Sequence, residues 1–211
     1  MKTPYWIVLC VLLSNAAQAQ PFFYPPPPPP PFAYSPIYVQ PPPTPPLQRP
    51  RSRLGDSVDH NLVFSPQQTM VWCWVATAKM LIEGHTKQPA PTQCEMLALQ
   101  YNAPCCIAPH MCSRVGHIVE IQALVARFGI RLSNVEAPPT PKRFFRKLRG
   151  GPIGIHTIEG GGHFVVAGAM QEHRTEYGST WDVTILDPFR GVYRIDYEQL
   201  RLKMDAILVI H

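Results

Sequence analysis

The stretch from Pro21 to Pro50 carries 15 prolines, including the unbroken run Pro25 to Pro31, and this feature limits what the N-terminal part of the chain can fold into. Proline fixes φ and has no backbone N–H, so such a segment can sustain neither a helix nor a central strand. It favours polyproline II, in which 30 residues reach on the order of 90 Å at about 3.1 Å each. No Asp, Glu, Lys or Arg occurs between Lys2 and Arg49, so no charge pattern suggests a folded unit there. Residues 20–53 are therefore expected to be a proline-rich linker. It would act as a spacer, with a cell-envelope or Pro-rich-ligand partner as the functional alternative. Across all 211 residues the composition is still 45% hydrophobic and 10% aromatic, too apolar for a wholly disordered chain. The apolar material lies mainly in residues 54–211, enough for one domain with its own core.

Ahead of the tract, Lys2, the apolar run Tyr5 to Leu13 and Ala17-Gln18-Ala19 have the order of a secretory signal peptide over residues 1–19, cut after Ala19. The run is well short of the roughly 20 apolar residues a transmembrane helix requires, so no stable membrane insertion is expected. The expected location is secreted or periplasmic. Cys10 would leave with the signal peptide, and five of the six cysteines would remain in an oxidising compartment, where thiols pair. Five is odd, so one cysteine is set apart.

The net charge of +5 includes no dense basic run of the kind that follows phosphates, and no nucleic-acid partner is expected. The densest basic patch, Lys142, Arg143, Arg146, Lys147 and Arg149, reads as the solvated face of a helix starting near Thr140 and Pro141. The first half of the domain reads as helical. A helix is predicted from Trp72 to Glu83, closed by Gly84; a second opens at the capping box Thr92-x-x-Glu95 and runs toward Tyr101. A third carries Ile118, Ile121, Leu124, Val125 and Phe128 before Gly129. Strands are predicted over Pro152–Thr157, His163–Met170, Trp181–Leu186, Val192–Ile195 and Ala206–Ile210. Helices first and sheet second indicate an α+β fold rather than alternating βαβ units.

The string Gln67-Gln68-Thr69-Met70-Val71-Trp72-Cys73-Trp74 places a cysteine at the start of a predicted helix. A thiol there feels the positive end of the helix dipole and unpaired N–H groups, which favour thiolate. The Cys73 backbone N–H faces a developing oxyanion, and the amide of Gln67 in the preceding loop is a candidate second donor. Gln68 competes for that role, separated from Gln67 only by its spacing to Cys73.

Gln-x5-Cys-Trp at the head of a helix resembles the papain-like cysteine peptidases, and Trp72-Cys73-Trp74-Val75-Ala76 is similar to their compact bacterial branch, the C39-like and AvrRpt2-type proteases. The resemblance implies a papain-like fold, with an N-terminal helical half followed by an antiparallel β-sheet half. It also implies the chain order Cys, His, Asp. Gly162-His163-Phe164-Val165-Val166 and Ile185-Leu186-Asp187-Pro188 match in that order. Cys73 would then be the nucleophile, His163 the general base and acid, and Asp187 the orienting carboxylate, with no cofactor. Gly160-Gly161-Gly162 would let a substrate backbone approach His163. His156 competes with His163, and Asp182 less well with Asp187.

The other four cysteines, Cys94, Cys105, Cys106 and Cys112, are disulfide candidates with three possible pairings. Adjacent cysteines seldom bond each other, so Cys105 and Cys106 are expected to pair outward with Cys94 and Cys112. A zinc site including His110 is the alternative. The expected activity is hydrolysis of a protein or peptide substrate through a Cys73 thioester. Acyl transfer or deamidation on the same scaffold, and a catalytically silent binding module, are the alternatives.

Overall fold

The computed structural model describes residues 53–135 and 139–211, without the side chains of Arg53 and Leu54. The signal peptide and all but the end of the proline-rich linker expected from the sequence lie outside the described residues.

Three helices occupy the first half: α1 (Cys73–Thr86), α2 (Gln93–Tyr101) and α3 (Ile118–Ala126). Two more, α4 (Pro141–Leu148) and α5 (Tyr197–Arg201), follow later. The capping box at α2 forms as the sequence suggests: Thr92 Oγ1 accepts from the Glu95 N–H, and Glu95 accepts from the Thr92 N–H. Helix α1 runs past Gly84 and ends at Lys87, which takes the left-handed conformation. Gly84 is buried inside the helix because a Cβ there would stand 2.4 Å from Leu62 Cδ2 and 2.8 Å from Pro152 Cγ. Its glycine therefore serves close packing and not helix termination. On α4, Phe144, Phe145 and Leu148 are buried while Lys142, Arg143 and Arg146 are exposed, so the basic patch is the solvated face of an amphipathic helix.

The strands are β1 (Arg53–Asp59), β2 (Leu132–Val135), β3 (Ile153–Thr157), β4 (His163–Thr175), β5 (Gly178–Asp187), β6 (Gly191–Asp196) and β7 (Met204–Ile210). They form one antiparallel sheet in the order β2-β7-β3-β4-β5-β6, with β1 also paired to β4. The long strand β4 takes β3 along His163–Ala167 and β1 along Ala169–Arg174. Sequence reasoning finds five of these strands and misses β1 and β2. The first precedes the helices and the second lies between α3 and α4, and pairing with distant strands organises them: β1 against β4 and β2 against β7.

Alternation along β4 sends successive side chains to opposite faces. Phe164 and Val166 join the cores under α1, with Trp74, Leu81 and Leu186 among their companions. Val165 and Ala167 join the other core, with Phe144, Phe145 and Leu148 of α4 and Tyr197 and Leu200 of α5. Each fully buried aliphatic or aromatic side chain contributes about 1.5–3 kcal/mol relative to an exposed one. The cores under α1 fix that helix against the sheet and so set where Cys73 meets the start of β4.

Candidate active site

Cys73 is the first residue of α1, and among the described residues it is the free cysteine. No side chain caps this helix and no acidic residue lies in its first turn, so its leading N–H groups are open to an anion. Burial works against a charged sulfur. The Cys73 pKa is nevertheless held below the ordinary thiol value by a hydrogen bond with His163, by the backbone N–H groups of Phe164 and Trp74, and by the charge of His163.

His163 is the first residue of β4 and Asp187 the last of β5, two adjacent antiparallel strands. His163 Nε2 lies 2.7 Å from Asp187 Oδ1, which leaves Nδ1 as the ring nitrogen for the thiol. Asp187 is only 1% exposed. Its buried carboxylate is satisfied by the histidine and by the N–H groups of Phe189 and Arg190, which donate at 2.9 and 3.1 Å. Asp-Pro at this point makes the turn that brings those two N–H groups back onto the carboxylate. Burial opposes ionisation of Asp187, but the His163 hydrogen bond and these donors hold its pKa below the usual carboxylate value. For His163, burial opposes the imidazolium, and the bonds to Asp187 and Cys73 outweigh it, raising the pKa to about 9. The arrangement thus favours a thiolate beside an imidazolium over the neutral pair.

Gln67 lines the same cleft, and Gln68 does not. The Gln67 backbone N–H donates to Pro188 O at 3.0 Å, tying the loop before α1 to the turn after Asp187. Its side-chain Nε2 donates to Thr69 O at 2.9 Å, which leaves the second amide hydrogen free. The cleft has a volume of about 400 Å³ and is bordered by Met70, Val115 and Phe189 together with Gly160, Gly161 and Gly162. All three glycines have positive φ, from 64° to 105°, a conformation that other residues rarely adopt.

The competing residues lie elsewhere. His156 Nδ1 is 2.8 Å from Asp205 Oδ1, and Asp182 Oδ2 is 3.1 Å from His173 Nε2. Neither borders the cleft.

Sequence reasoning misses Gln93 and the anchoring role of the motif residues Trp72 and Trp74. Gln93, 2% exposed, donates to Ser65 Oγ at 3.2 Å and Pro66 O at 2.7 Å and accepts from the Gln68 N–H at 3.1 Å, so one side chain organises the loop that carries Gln67. No local pattern marks such a glutamine, because its partners lie 25 to 28 residues earlier. Trp72 and Trp74, on either side of Cys73, donate from Nε1 to Cys112 O at 3.1 Å and Arg114 O at 3.2 Å. The segment they grip is closed by disulfides Cys94–Cys106 and Cys105–Cys112. The adjacent cysteines thus pair outward, and tertiary placement selects one of the two outward arrangements. Their sulfurs are consumed in these bonds, so the alternative zinc site at His110 has no cysteine thiolates to use.

Residues 56–198 match the family described as papain-like cysteine protease AvrRpt2. No curated protein matches the chain. Among solved structures, similarity is found to a double glycine motif protease from an AMS/PCAT transporter in complex with its leader peptide. The identity is 17% over 72% of this chain and 92% of that one, with a TM-score of 0.48. The peptidase domain of Streptococcus ComA, a bi-functional ABC transporter involved in a quorum sensing pathway, is 14% identical over 70% of this chain and 96% of that one, with a TM-score of 0.49. The corresponding domain of Streptococcus mutans ComA shows 14% identity over 70% and 98%, with a TM-score of 0.40. The family match spans the loop before α1, the start of β4 and the end of β5, and this chain therefore belongs to the AvrRpt2 family of papain-like cysteine proteases.

Proposed function

We propose that this peptidase is secreted or periplasmic and hydrolyses peptide bonds of a protein or peptide substrate, with Cys73, His163 and Asp187 as its catalytic triad. The observation that carries this reading is the single histidine ring held between Asp187 at Nε2 and the Cys73 thiol. The Cys73 thiolate attacks the scissile carbonyl carbon. The carbonyl π electrons move to oxygen, which accepts from the Cys73 backbone N–H and the free amide hydrogen of Gln67. As this intermediate collapses, the C–N bond breaks and the leaving nitrogen takes the His163 proton, giving a free amine and a thioester. His163, now neutral, removes a proton from water as that water attacks the thioester. The C–S bond breaks, releasing the carboxylic acid and restoring the thiolate beside a protonated His163. Asp187 holds the ring orientation throughout and stabilises its charged form.

The signal-peptide pattern over residues 1–19 supports export. N-terminal sequencing of the exported protein should begin at Gln20. Cleavage of a peptide library by the wild type, set against Cys73→Ala, tests the catalytic reading. Product formation by Cys73→Ala, or amine incorporation exceeding hydrolysis when an amine is added, would overturn it.

A further inference from the structure

The reaction leaves His156 unused, yet its ring is held on three sides. Nδ1 meets Asp205 Oδ1 at 2.8 Å. One face lies against Phe164, with ring centroids 4.6 Å apart and planes inclined by 47°. Nε2 stands 2.9 Å from where a Cβ on Gly162 would be. Gly162 and Phe164 are the two chain neighbours of His163. In the sheet, His156 pairs with Phe164 and Thr157 with His163, and Thr157 Oγ1 also donates to His163 O at 3.3 Å. The Phe164 backbone N–H is also among the groups that lower the Cys73 pKa.

We propose that His156, oriented by Asp205, is a positioning residue for the peptidase: its ring pins Gly162 and Phe164 and thereby holds the His163 imidazole and the Phe164 N–H on Cys73. The inference rests on the assignment of Cys73 and His163 above. An imidazole suits the place because it offers a flat face to Phe164, a thin edge to Gly162 and a polar atom to Asp205. The support runs from Asp205 on β7 through His156 on β3 to β4, across three neighbouring strands. Gly162 has φ 105°, so no side chain there could replace the wedge without strain. Small displacements of reacting groups are costly, up to about 10²-fold for roughly 1 Å.

The test compares wild type, His156→Ala, His156→Gln and Asp205→Asn by peptide hydrolysis, by iodoacetamide alkylation of Cys73 across pH, and by thermal melts followed by circular dichroism. His156→Ala should lower kcat on the order of tenfold with KM held within about twofold, and should move the alkylation midpoint to higher pH. His156→Gln, which can still donate to Asp205, should recover part of the loss, and Asp205→Asn should fall between wild type and His156→Ala. A folded His156→Ala with wild-type kcat and midpoint overturns the proposal. If that variant does not fold, wild-type values in Asp205→Asn overturn it instead. Activity surviving in Cys73→Ala would overturn the catalytic assignment and this inference with it, whereas the other two results overturn this inference alone.

Discussion

The indole Nε1 of Trp72 donates to the backbone carbonyl of Cys112 at 3.1 Å, linking the residue before Cys73 to a half-cystine 40 positions later. Both residues are buried, so neither group can turn to water when the other is lost. Trp72→Phe removes one of the two donors to that carbonyl, which keeps the Arg114 N–H at 2.9 Å, and shortens a buried ring; it should destabilise the fold by about 0.5–3 kcal/mol in denaturant titration. The loop that Trp72 and Trp74 hold also supplies Val115 to the cleft. Cys105→Ala with Cys112→Ala should therefore raise KM as well as lower the unfolding midpoint, which steady-state kinetics below the melting transition would reveal.

In the proposed mechanism, the Cys73–His163 pair sets the pH range of the reaction. As pH falls through the lowered Cys73 pKa the thiolate protonates and attack stops. As pH rises through about 9, His163 loses the proton that the leaving amine requires. The profile of kcat/KM should be a bell with its alkaline limb near pH 9. A flat profile through that region would contradict the pairing.

Asp187→Asn removes the charge that outweighs burial at His163. The His163 pKa should fall, the alkaline limb should move to lower pH, and kcat should drop by about 10²–10⁴-fold. NMR titration of the ring and the pH profile of the variant check both parts. Because Asp187 also accepts from Phe189 and Arg190, the amide oxygen of asparagine preserves part of the turn.

Gln93 is remote from the reacting atoms, but three of its hydrogen bonds shape the loop bearing Gln67. Gln93→Leu takes a partner from the buried Ser65 hydroxyl and releases the backbone groups of the exposed residues Pro66 and Gln68, at a cost of about 1–3 kcal/mol in total. The expected signature is a lowered kcat with a smaller change in KM, since an oxyanion donor acts mainly in the transition state. Equal stability and kcat would show that the loop holds itself.

The helices over 73–86, 93–101 and 118–126 could be read from the chain because apolar spacing and capping are relations among near neighbours. Strands β3 to β7 could be read for the same reason. The cysteine at a helix head, the histidine opening a strand and the Asp-Pro closing one are likewise local patterns, legible singly. What brings Cys73, His163 and Asp187 within reach of one another is the sheet register and the burial of α1 on its face, neither of which is local.

Other features depend on distant contact altogether. Strand β1 exists as the partner of Ala169–Arg174, Gly84 is required by Leu62 and Pro152, and the choice between outward disulfide pairings follows from where α2 lies. Gln93 and His156 gain their places from residues 25 to 49 positions away. Local propensity and spacing thus determined the elements and the chemistry each could carry. Only tertiary structure decided which groups meet, because long-range packing and buried hydrogen bonding depend on a three-dimensional arrangement that no short window of sequence contains.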